Sequence, residues 1–143
     1  QSTLRSAFLL AIILCDTYKM IVHAPISVGE LIDKITILRI KAILIKDEAK
    51  LKNVDKEMYL LETLKDELNI EVDLSDLEAK LEAVNLELWH IENYKRACEK
   101  NQNFDEGFVN AARQVYLKND LRASIKKQIN ELVGSSIVEE KSY

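Results

Sequence analysis

Three glycines and one proline in 143 residues leave the chain few places to turn. That scarcity argues against many short strands joined by tight loops and favours long helices. No GxGxxG, P-loop or GxSxG stretch occurs, so nucleotide cradles and hydrolase elbows lack the glycines that their close backbone approaches need. Cysteine is limited to Cys15 and Cys98, with no CxxC spacing. Free thiols in a reducing compartment, the cytoplasm, are therefore expected. Cys98 falls on a helical seam and reads as a small buried hydrophobe. A strong charge of one sign is also missing. The net charge is −4 and the basic residues are scattered, which gives no electrostatic case for nucleic acid or an anionic membrane.

What is present is ordinary for one globular domain: 48% apolar and 31% charged residues. A chain of this length can bury roughly 70% of the surface its unfolded form exposes. The opening stretch QSTLRSAFLLAIILCDTYK stands apart. Arg5 and the apolar run from Ala7 to Cys15 imitate a signal peptide. The run is about half the roughly 20 residues a membrane span requires. Leu14 stands where a lipoprotein needs a small residue before its cysteine. Met20 immediately precedes an extended-looking segment, IVHAPIS. Residues 1–19 are therefore read as an extension, with Met20 the biological start and residues 20–143 the domain. If ordered, the extension's apolar run would lie against the first helix.

Ser27-Val28-Gly29-Glu30 has the form of a capping box. Val28, Leu31, Ile35, Leu38, Ala42 and Ile45 follow at alternating steps of three and four, a coiled-coil-like seam. Ile37, Ile40 and Leu44 make a second stripe nearly opposite. A helix apolar almost all round is a buried helix. Its second stripe therefore calls for further cover, from a second subunit or from the extension. A phase slip at Lys46 with Asp47 as N-cap predicts a second helix to about Leu68. Ser75-Asp76-Leu77-Glu78 reads as another capping box, opening a third helix to about Lys100. Asn103 or Asp105 caps a fourth, which ends at Gly134, a natural C′ residue. The expected fold is an all-α, four-helix antiparallel bundle. IVHAPIS and the tail SIVEEKSY would flank one end of it and could pair as a two-stranded ribbon.

Polar residues interrupt this pattern in two places. Asp33, Thr36 and Arg39 break the faces of helix one, and Asn119 and Arg122 sit in the seam of helix four. A lone buried charge is costly, so these groups need partners, and a cross-helix Asp33–Arg122 pair is one arrangement that supplies them. The set reads either as a polar layer fixing helix register or subunit pairing, or as a small ligand pocket. Glu87-Leu88-Trp89-His90 has the Glu-x-x-His spacing of half a di-iron site. No second copy exists and His23 lies in the extended segment, so neither a metal nor a cofactor is expected. Glu30–Lys34, Asp76–Lys80 and Glu92–Arg96 have favourable i,i+4 orientation and read as solvated helix faces.

SVGELIDK (27–34), TILRIK (36–41), LELWHIE (86–92), ARQVYLKNDLRASIKKQIN (112–130) and GSSIVEEKSY (134–143) together resemble an uncharacterised family of short bacterial and phage helical proteins. The resemblance covers residues 20–143 and leaves 1–19 outside. Arg39 departs from the family pattern, where an acidic residue is usual. What the resemblance implies is an intact domain with Asp33, Lys34, Asn119, Asp120 and Arg122 inside its motifs. Those five are the candidate binding residues; no catalytic residue is assigned.

The function expected from all this is a non-enzymatic interaction module, a homodimer or larger, associating through Ile37, Ile40 and Leu44. It could equally serve as an accessory subunit for another protein. The alternative is a small-molecule enzyme inside a helical bundle, distantly like the all-α chorismate mutases. The arginines here do not follow that family's pattern.

Overall fold

A computed structural model describes Ala7, Leu10, Ala11 and residues 20–143. The readings placed on the rest of residues 1–19, including most of the apolar run and Cys15, lie outside the described residues. From Val28 onward the chain forms four helices: α1 (Val28–Leu44), α2 (Glu48–Glu67), α3 (Ser75–Lys100) and α4 (Glu106–Val133). No strand occurs among the described residues.

Local chemistry sets most of the boundaries. Ser27 Oγ accepts the Glu30 N–H at 3.1 Å, capping α1. The chain is extended again at Ile45 (ψ 134°), and Asp47 caps α2 by accepting the Lys50 N–H at 2.8 Å. Asn69 carries the chain away from α2 at a φ of 48°, a left-handed conformation that asparagine tolerates. Asp105 caps α4 through the Phe108 N–H at 3.2 Å. Gly134 ends it at a φ of 68°.

The second capping box is a correction. Ser75 is the first residue of α3, and no side chain caps Leu74, the residue before it. Asp73 Oδ1 instead accepts the Ser75 N–H at 2.9 Å. Glu78 turns away to Lys65 and Arg39, cations on the neighbouring helices. An ion-pair partner in reach has displaced the local backbone bond.

α1 is the hub. It packs on α2, α3 and α4, whereas α2 packs mainly on α1 and meets α3 through the ion pair Lys65–Glu78, and α3 pairs with α4. Leu31, Ile32, Ile35, Leu38 and Ile40 are each no more than 4% exposed, and each such burial contributes about 1.5–3 kcal/mol. Most of the apolarity of this helix therefore has a cause within the single chain, where three helices pack on it; Ile43, near its end, stays exposed. Ile32 joins Leu74, Leu77, Leu81, Ile125 and Ile129 in the main cluster. Leu77 and Leu81 of α3 thus meet the far end of α4, while Glu87 pairs with Lys118 nearer its middle.

The expected ribbon is not formed, because neither residues 20–26 nor 135–143 contain a strand. Pro25 offers no N–H to a ladder. The tail closes its first polar groups locally: Ser135 Oγ accepts the Ile137 N–H at 3.3 Å and donates to the Ile137 carbonyl at 3.0 Å.

Candidate functional site

The polar residues expected to break the apolar seams meet where α1 crosses α3 and α4. Asp33, 1% exposed, receives a two-pronged bond from Arg122 of α4: Nε to Oδ1 at 2.8 Å and Nη2 to Oδ2 at 2.5 Å. Asn85 of α3 donates to Asp33 Oδ1 at 2.9 Å and to Thr36 Oγ1 at 3.0 Å. The Thr36 hydroxyl in turn donates to the Asp33 carbonyl at 2.8 Å. Asn119 Oδ1 accepts from Arg122 Nη1 at 3.4 Å, and its amide donates to the Val115 carbonyl at 3.0 Å. Bidentate arginine–carboxylate geometry is the strong form of such a pair. The hydrogen bond to Asp33 holds the Arg122 pKa above its already high ordinary value, against the opposing effect of burial.

A second polar set lies one helical turn away. Lys126 of α4, its side chain 9% exposed, donates to Glu30 of α1 at 2.6 Å and to Glu139 of the C-terminal tail at 2.8 Å. Burial works against the lysine charge, but the hydrogen bonds to Glu139 and Glu30 outweigh it and raise the Lys126 pKa. The same contact to Lys126 is the main cause that holds the Glu139 carboxyl below the ordinary glutamate range. A depressed carboxyl stabilises the contact at neutral pH, and that contribution is lost as pH falls through the lowered value. Next along α4, Asn130 Oδ1 accepts the Gly29 N–H at 2.7 Å, serving the open N-terminus of α1 from across the interface.

Among the described residues, every buried side-chain nitrogen and oxygen has a hydrogen-bond partner. The site is a closed polar layer with no spare buried donor or acceptor. A cavity of about 630 Å³ lies just outside it, between α4 and the tail, and is lined in part by Asp120, Ser124, Lys127, Asn130, Glu139 and Tyr143.

Of the five candidate binding residues, Asp33, Asn119 and Arg122 come together. Asp120 lines the outer cavity and Lys34 is exposed with no part in either set. Ile40 is 4% exposed within the single chain, while Ile37 and Leu44 are half-buried. Thr36 joins the layer. Arg39 lies apart, facing Glu62, Glu78 and Glu82 at 3.5 to 3.9 Å. Glu87 is committed to Lys118 and His90 is exposed. Of the three charged pairs, Asp76–Lys80 forms, whereas Glu30 turns to Lys126 and Glu92 to Lys95. Asn85, Lys126 and Asn130 carried no assignment from sequence. Asn85 does stand four residues after Leu81 and three before Leu88, on their face, a spacing that could have marked it.

No helix among the described residues is long and apolar enough to cross a membrane. No curated protein and no solved structure matches the chain. Residues 22–143, which take in all five stretches that carried the resemblance, match DUF6165, a family of unknown function, and the chain belongs to that family.

Proposed function

We propose that this domain is a non-enzymatic helical interaction module, an antiparallel bundle that associates with a second copy of itself in the cytoplasm. The carrying observation is an uncovered apolar stripe on α4: Leu117, Leu121 and Leu132 are 46%, 47% and 52% exposed. Their spacing of four and eleven residues puts them on one helix face, with exposed Ser124 and Gln128 between Leu121 and Leu132. Rows of large apolar side chains left in water are a common mark of an interface. Ile37, Ile40 and Leu44, the stripe first expected to meet a partner, lie on a helix already packed against three others, so the outward role passes to α4.

Sedimentation equilibrium on the wild type and on the double variant Leu117→Asp/Leu121→Asp tests the proposal. The wild type is expected at twice the 16.4 kDa chain mass or more, and the variant at the single-chain mass with its melting temperature nearly unchanged. A wild type that stays monomeric from micromolar to sub-millimolar concentration overturns it.

A further inference from the structure

The C-terminal tail is attached to the domain in an unusual way. Its apolar side chains do not anchor it: Ile137 is 40% and Val138 56% exposed. The attachment to the helices is polar, through Glu139 on the buried Lys126 Nζ at 2.8 Å, with Lys141 steadying the same carboxylate at 3.2 Å. Arg122 lies close enough to Glu139 to feel its charge. A tail held by a carboxylate on a buried cation makes the kind of contact by which a domain can hold an acidic peptide.

We propose that the Glu139 position is a docking site for an extended acidic peptide segment of a partner protein, filled at rest by the chain's own tail. The proposal rests on the interaction-module reading and gives that module a partner chemistry. Three observations support exchange. Releasing Glu139 leaves Lys126 still paired with Glu30 at 2.6 Å, so no uncompensated charge is buried. The helix end does not depend on the tail beyond Ser135, whose N–H closes on the Asn130 carbonyl at 2.9 Å. On the α4 side of the space beside the tail, Ser124, Lys127 and Asn130 offer an incoming backbone polar partners, next to the acidic Asp120 and Glu131.

The test uses full-length protein and an acetylated synthetic peptide of residues 135–143, followed by amide shifts of Lys126, Lys127 and Asn130. Removing the resident carboxylate with Glu139→Ala should let the peptide bind roughly tenfold more tightly than it binds wild type, whose own tail competes at high effective concentration. A peptide carrying Gln in place of Glu139 should lose most of that binding. Failure of the wild-type peptide to bind the variant overturns the proposal. So does equal binding by variant and wild type, or equal binding of the two peptides. The readout is monovalent, so self-association through α4 could fail or hold without altering it.

Discussion

Gly29 is the residue with the least room. A Cβ there would stand 2.6 Å from the Lys126 carbonyl oxygen and 2.9 Å from Asn130 Oδ1. The first is backbone and cannot swing aside, and the second is the acceptor that serves the Gly29 N–H. Alanine gains about 1 kcal/mol of helix propensity over glycine, but forcing a methyl into a filled interface costs about 1–3 kcal/mol. Gly29→Ala is therefore expected to lower the melting temperature by several degrees, measured by circular dichroism; an unchanged or raised value would show that α1 and α4 can separate freely there. The pair Asp33–Arg122 was legible in sequence because Asp33 interrupts an apolar face of helix one and Arg122 sits in the seam of helix four. Lys126 and Asn130 were not. They fall beside Ile125 and Ile129 rather than on their seam, and long polar side chains at such positions usually reach water.

At the level of single helices, the ends followed local chemistry wherever a side chain had no stronger partner. Asp105 Oδ1 accepts the Phe108 N–H, so Asp105→Ala should cost about 1 kcal/mol of stability. Ser75→Ala should cost less, since its hydroxyl bonds the Asp73 carboxylate rather than a free backbone N–H of the helix. Urea titration of both variants compares them directly, and equal losses would contradict the assignment of Asp73 rather than Ser75 to the start of α3. Helix extents were readable from caps, phase slips and Gly134. The role of Glu78 was not, because the cations that draw it away, Lys65 and Arg39, lie on two other helices. The absent ribbon has a similar cause. Alternation in SIVEEKSY promised a strand, yet Ser135 bonds within the tail and Glu139 reaches Lys126.

Across the whole molecule, α1 is surrounded and the polar layer determines how it sits. Asp33, Thr36 and Asn85 are 1%, 0% and 5% exposed, and with Arg122 they tie three helices at one level. Apolar contacts alone would let α1 slide by a turn against α3 and α4. The directional bonds from Arg122 and Asn85 to Asp33 select one register. Sequence patterning showed α1 as buried but left its cover open, because periodicity does not say which neighbour supplies it. The structure gives that cover to α2, α3 and α4 of the same chain.

The central claim is that Asp33 and Arg122 act as one structural unit. A double-mutant cycle of Asp33→Ala, Arg122→Met and the combined variant, by chemical denaturation, tests it most directly. Each single change should cost about 3 kcal/mol by leaving its partner uncompensated. The double should cost less than their sum by about 1–3 kcal/mol. Losses that simply add, within about 0.5 kcal/mol, would contradict the claim.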